Sequence, residues 1–259
     1  MYRAEGLKPT ETLDGLFQGA LKIIQQREGY RFSVDAPLLA SFVRLKRGER
    51  VVDLGTGSGV ILLILAKRYP QVGELVGVEI QQELVELARR NVSLNEMEGL
   101  IRIVHGDIRG IKNFFDAGSF DVVVSNPPYY PLHERRSGSL SQRAMARHEV
   151  AGGIREVMAA SSYLLREGGR GYFIYPSRRA VTLIHQMREA RLEPKRMRWV
   201  HSFEGEPAKM VMVQGVKGSG EGLEVDPPLF LFRSPGEYTQ EMETVLFRLK
   251  EGEEDDEEL

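Results

Sequence analysis

From residue 50 onward the chain alternates short aliphatic runs with longer segments whose apolar positions recur every three or four residues. The short runs read as strands and the longer spacing as helices. Residues 50–54 form a first strand, 60–68 a helix that is apolar on nearly every side, 74–79 a second strand and 82–95 an amphipathic helix. Residues 100–105 make a third strand and 120–125 a fourth. In that fourth strand Val122, Val123 and Val124 are consecutive, so both of its faces need cover, as in a central parallel strand. A helix over 154–165, a strand over 170–175, a helix over 180–190 and strands near 197–201 and 209–216 complete the pattern. Strand and helix in alternation predict an α/β fold: seven strands, mostly parallel, with helices on both faces.

The ends are less regular. Weak alternation around residues 20–24 and 30–32 suggests a short hairpin within an extension over residues 1–33. Asp35 is placed to cap a helix over 36–43, with Pro37 in its first turn. Residues 131–149 have no clear period and read as a loop with some helix, and 215–222 as a glycine-rich turn. An edge strand over 229–232 and a helix over 239–250 close a main domain spanning 34–250.

Composition removes several classes of function. There is no cysteine, which excludes disulfides and thiolate chemistry, and five scattered histidines offer no metal-ligand spacing. The longest apolar run, residues 60–66, is far short of the roughly 20 residues of a membrane-spanning helix. Without a signal-like opening, the expectation is a cytoplasmic protein. The net charge of −2 hides an asymmetry: residues 251–259 hold seven acids and no base, and are expected to be a disordered tail. By contrast residues 131–198 carry a balance of +8, which suits an anionic partner such as RNA.

The sharpest local signal is Asp53-Leu54-Gly55-Thr56-Gly57-Ser58-Gly59, between the first strand and the helix that follows. Gly55 and Gly57 permit a tight turn and close approach of backbone to a ligand, and Gly59 close packing of the helix. The spacing is not that of a pyrophosphate loop, and the carboxylate of Asp53 would repel phosphate. It suits a ligand carrying an amino group and a sulfonium, as S-adenosylmethionine does. Glu79, ending the second strand, can accept from ribose hydroxyls, and Asp107, after the third, from an adenine amino group, while Ile80 and Ile108 can enclose the adenine. Either acid alone could cap a helix; three acids after three successive strands form a constellation. The pattern resembles the class I methyltransferases over roughly residues 30–216.

The fourth strand runs into Asn126-Pro127-Pro128-Tyr129 and Tyr130. The prolines remove backbone donors, leaving the Asn126 side-chain carbonyl and the Pro127 carbonyl to accept both hydrogens of a conjugated amino group. Holding both hydrogens favours the pyramidal nitrogen that develops during transfer. Tyr129 offers a stacking face. The tetrapeptide is the hallmark of amino-group methyltransferases acting on adenine, cytosine, guanine or glutamine. The segment over 32–40 is similar to the one that covers the cofactor in the bacterial tRNA(Val) adenine-N6 methyltransferases. So are Tyr129-Tyr130, Ala146-Arg147-His148-Glu149, Pro207-Ala208-Lys209 and Gly236-Glu237-Tyr238-Thr239. The resemblance implies methylation of an adenine N6 in RNA, next to the anticodon of a tRNA. Arg135, Arg136, Arg143 and Arg147 are then the expected RNA contacts beside the catalytic loop. Two other readings stay open: a glutamine N5-methyltransferase acting on a protein such as a release factor, and a non-catalytic RNA-binding module. The first usually carries a sizeable helical domain ahead of the core; here about thirty residues precede the Asp35 helix, which favours the RNA reading.

Overall fold

A computed structural model of the chain describes residues 7–28, 31–127 and 153–248. The chain begins with an antiparallel hairpin of β1 (Glu11–Leu16) and β2 (Leu21–Gln26). These strands lie earlier than the pattern around residues 20–24 and 30–32 implied. Glu11 is buried because Arg90 pairs with it at 2.5 Å, so β1 lacks a clean apolar face. Phe32 is no strand residue: its NH donates to the Gln25 side chain. Helix α1 (Asp35–Phe42) follows. Asp35 is its first residue rather than its cap; the Ser33 hydroxyl accepts from the Asp35 NH instead.

Then come β3 (Arg50–Leu54), α2 (Val60–Arg68), β4 (Glu74–Glu79), α3 (Gln82–Leu94), β5 (Ile101–His105) and β6 (Phe120–Ser125). After these run α4 (Ile154–Leu164), β7 (Leu165–Pro176), α5 (Ala180–Glu189), β8 (Leu192–His201) and β9 (Ala208–Lys217). The seven strands of the main sheet lie in the order β5-β4-β3-β6-β7-β9-β8. All neighbours are parallel except the pairs made by β9. Two further short strands, β10 (Glu224–Val225) and β11 (Leu229–Phe230), extend the sheet along the outer edge of β8. A small hairpin of β12 (Phe232–Ser234) and β13 (Glu237–Tyr238) precedes α6 (Gln240–Phe247), which Thr239 caps through the Met242 NH. Strand β7 starts five residues before its expected position. Its first turn-like residues, Glu167-Gly168-Gly169, form an irregularity against β6 that the pattern hides.

Side chains alternate across the sheet as a period of two requires. Val51, Leu75, Val122 and Tyr172 face α1, α2 and the hairpin, whereas Val52, Val76, Val123 and Phe173 face α4 and α5. Helix α2 is enclosed by the sheet, α1 and the hairpin, which explains why residues 60–66 are apolar on all sides. At the amino ends of five adjacent strands the charges alternate. Arg102 on β5 pairs with Glu74 on β4, and Glu74 with Arg50 on β3. The Arg50 NH then donates to Asp121 on β6, which pairs with Arg166 on β7. Each strand thereby contributes one charge, and the ladder fixes their relative register along this edge.

Candidate active site

The order of strands reverses between β3 and β6: β4 and β5 lie to one side of β3, and β6 and β7 to the other. The crevice outside the carboxyl ends of strands at such a point is where open α/β sheets bind ligands. The loop after β3 is built for close approach. Gly55, Gly57 and Gly59 have φ of 78°, 58° and 82°, a region that penalises any side chain. The Gly55 and Thr56 NH groups donate to the Val78 carbonyl at 2.9 and 3.1 Å, tying the loop to β4. Ser125 at the end of β6 donates its hydroxyl to the Leu54 carbonyl at 2.7 Å, tying the other side of the crevice to the same turn.

Asp53 is the most unusual group there. It is completely buried, and neither carboxylate oxygen has a hydrogen-bond partner. Burial pushes its carboxyl up to about 7; Glu79 adds to the rise, and Thr56 opposes it without completing a hydrogen bond. The Thr56 hydroxyl is likewise buried without a partner. Such groups cost stability unless something satisfies them, which points to a ligand. Glu79 is engaged already, accepting from the Gly57 NH at 3.0 Å and the Gln81 NH at 2.9 Å. Its oxygens retain lone pairs for a ligand while holding the loop in shape.

Asp107 does cap the short helical turn after β5, accepting from the Arg109 NH at 2.8 Å. The Arg109 guanidinium also pairs with it and holds its carboxyl below the ordinary carboxylate range. Ile80 is half-buried, and Ile108 packs into the core on the α4 side. Asn126 is half-buried and Pro127 buried at the end of β6. The structure therefore places Asp53, the glycine loop, Glu79, Asp107, Asn126 and Pro127 along one edge of the sheet, over β5, β4, β3 and β6. Pro128, Tyr129, Tyr130, Arg135, Arg136, Arg143 and Arg147 lie outside the described residues.

Three site residues escaped the sequence pattern. The hydrophobic pattern marks Ser125 only as the end of a strand. Asn91 interrupts the apolar face of α3, a polar residue on a buried stripe that is a detectable signal. Gly77 lies inside β4, where a Cβ would come within 2.7 Å of the Thr56 methyl and 2.9 Å of Ile103. Its absence lets Thr56 settle on the sheet. Gly77→Val is expected to cost about 1–3 kcal/mol by overpacking. Because the first clash falls on the glycine loop, ligand affinity should fall too. Denaturant unfolding and calorimetry of the variant check both effects, and an unchanged ligand affinity would detach Gly77 from the site.

Within the described part of that basic stretch, residues 153–198, six arginines are already paired with acids. Arg166, Arg170, Arg188, Arg191, Arg196 and Arg198 pair with Asp121, Glu49, Glu193, Glu167, Asp226 and Glu241 respectively. The Arg170–Glu49 pair is buried and structural. Among the described residues, Arg178 and Lys209 are exposed and form no ion pair. Both stand where β7 ends and β9 begins, joined by the Ser177 hydroxyl donating to the Ala208 carbonyl at 2.5 Å. That is the same carboxyl edge. No group of acids and histidines among the described residues is arranged to hold a metal ion, and no described helix is long and apolar enough to cross a membrane.

Comparison with known proteins bears on the family and the fold. Residues 31–172 match the family model of the methyltransferase small domain. A tRNA1(Val) (adenine(37)-N6)-methyltransferase of Shewanella sp. strain W3-18-1 is 29% identical over 185 residues, covering 71% of this chain and 76% of its own. The enzyme of the same name from Shewanella sp. strain MR-4 is 27% identical over 219 residues, covering 83% of this chain and 89% of its own. In fold, the chain is similar to a crystal structure described as a predicted O-methyltransferase from Agrobacterium tumefaciens. The TM-score is 0.67 at 22% identity, covering 84% of this chain and 96% of that one.

Proposed function

The chain belongs to the methyltransferase small domain family, and from that premise we propose that it methylates the exocyclic N6 of an adenine in RNA, a tRNA near its anticodon. The observation that carries this reading is Asn126-Pro127 at the end of β6, bound through Ser125 to the turn that holds Asp53. The names of the relatives support RNA, and adenine N6, as the target.

The residues fit S-adenosylmethionine: Asp53 is an orphaned buried carboxylate facing a glycine cradle, suited to the ammonium of the methionine part. Glu79 suits the ribose hydroxyls, and Asp107 the adenine amino group, with Ile80 and Ile108 beside the base. When bound, S-adenosylmethionine supplies an electrophilic methyl group on a positively charged sulfur. Asn126 and Pro127 accept the two hydrogens of the target amine, which draws its lone pair out of conjugation and orients it. Pro128 stiffens the loop, and Tyr129 stacks on the target base. Incubation with labelled S-adenosylmethionine and total tRNA, followed by nucleoside analysis, tests this. N6-methyladenosine is the expected product, whereas label in the glutamine of a release-factor peptide would replace this reading with the protein substrate. A cytoplasmic location follows from a tRNA substrate.

RNA is expected to dock over Tyr130, Arg135, Arg136, Arg143 and Arg147, with Arg178 and Lys209 as phosphate contacts at the neighbouring strand end. Each lost phosphate contact lowers the log–log salt slope by about one unit. Arg178→Ala/Lys209→Ala and Arg135→Ala/Arg136→Ala should each weaken tRNA binding and flatten the slope. Arg188→Ala/Arg191→Ala, whose cations are already paired, should leave it unchanged. Equal slopes in all three double variants would remove the docking surface from this edge.

A further inference from the structure

We propose that Asn91 is a positioning residue that couples the N-terminal hairpin to the glycine loop of the cofactor site. The inference rests on the reading of that loop as the S-adenosylmethionine site.

Asn91 lies on the face of α3 that packs inward and is completely buried. A buried amide is costly unless bonded, and this one is bonded in three directions. Its Oδ1 accepts from the Ile24 NH at 2.7 Å, and its Nδ2 donates to the Ile24 carbonyl at 3.2 Å. The same Nδ2 donates to the Ser58 carbonyl at 3.0 Å. Ile24 is in β2, and Ser58 stands between Gly57 and Gly59. One side chain therefore bridges the hairpin and the loop.

Just past the end of α3, Asn95 repeats two of these three bonds. It accepts from the Lys22 NH at 3.0 Å and donates to the Lys22 carbonyl at 2.7 Å. Residues 22 and 24 are two apart on the strand, so the two asparagines together act as a neighbouring strand for the edge of β2. Asn95 shows no contact with the loop; its other donation goes to the Asn91 carbonyl. The chain thus contains its own control, with two similar docking contacts of which one reaches the cofactor loop.

The loop needs such a contact. Its three glycines sit at positive φ and have the most backbone freedom to lose on ordering. Glu79 fixes the Gly57 NH, and the Gly59 NH donates to the Thr56 carbonyl at 2.9 Å. The Ser58 carbonyl is held by Asn91. An energetic link between two sites is reciprocal, so ligand binding at the loop must also quieten the hairpin.

The test uses S-adenosylmethionine as probe on the full chain, with calorimetry and amide hydrogen exchange. Asn91→Ala should weaken binding by about tenfold or more, the scale of one buried hydrogen bond. Asn95→Ala should bind within about twofold of the parent, although both variants lose thermal stability by detaching β2. In the parent, saturation with the cofactor should slow exchange at the Ile24 amide; in Asn95→Ala this persists. The parent exchange measurement needs no variant and stands even if Asn91→Ala fails to fold. Equal affinities in the two variants, or no change in hairpin exchange when the parent is saturated, would overturn the coupling. A parent that binds no S-adenosylmethionine would overturn the cofactor reading, and this inference with it.

Discussion

Asn126→Ala is expected to slow methyl transfer by about two to three orders of magnitude, the scale for loss of one preorganised transition-state partner. S-adenosylmethionine affinity should remain close to the parent's. The separation follows from the fold: Asn126 follows β6, while the groups suited to the cofactor stand at the carboxyl ends of β3, β4 and β5. An interaction made mainly in the transition state lowers turnover without changing ground-state binding. Single-turnover rates on tRNA, beside calorimetry with the cofactor, measure the two quantities independently. A variant that turns over at the parent rate would remove Asn126 from the chemistry.

The second large effect is expected at Asp53, with opposite signs for stability and binding. Its folded carboxyl is raised from 3.8 to about 7 by burial. Between those values the folded chain holds a proton that the unfolded chain has released. Stability without cofactor therefore falls as pH rises from about 4 to about 7, and the full penalty applies above that window. At about 1.4 kcal/mol per unit over roughly three units, the penalty is on the order of 4 kcal/mol. Asp53→Asn carries no charge to bury, so without cofactor it should be more stable than the parent at pH 8 and no more stable near pH 4. It should also bind S-adenosylmethionine one to two decades more weakly, because a bond to a charged group contributes about 1.5–3 kcal/mol. Urea unfolding across the pH series and calorimetry at pH 8 check the pair. A flat parent profile, or a variant with undiminished affinity, would refute the role assigned here. Cofactor affinity of the parent should itself rise with pH through about 7, as the carboxylate becomes available.

Much of this was legible beforehand. Helix α2 and strands β4 and β6 fall where the hydrophobic pattern placed them, because each is an apolar run bounded by glycine, proline or charge. The glycine loop was legible because positive φ leaves little choice of residue. The hairpin was misplaced because its first strand buries a carboxylate paired with Arg90, a partner distant in sequence. The same kind of distance hid Asn91 and Gly77: one serves a strand and a loop outside its helix, and the other makes room for a threonine on a neighbouring segment. Net charge also overstates the cations available among the described residues, for a related reason. The sum over residues 131–198 contains arginines neutralised by acids from elsewhere, and only the folded arrangement shows which cations remain available.

The ladder of alternating charges along the amino edge has a thermal consequence. Hydration of ions carries an unfavourable entropy, so the cost of drawing charges from water into pairs declines on heating, whereas hydrophobic stabilisation levels off. The linked set Arg102, Glu74, Arg50, Asp121 and Arg166 therefore gains in relative weight as temperature rises. It lies at the end of the sheet opposite the crevice. Warming would thus loosen the glycine-rich margin first, while the five strands remain clasped at their far ends.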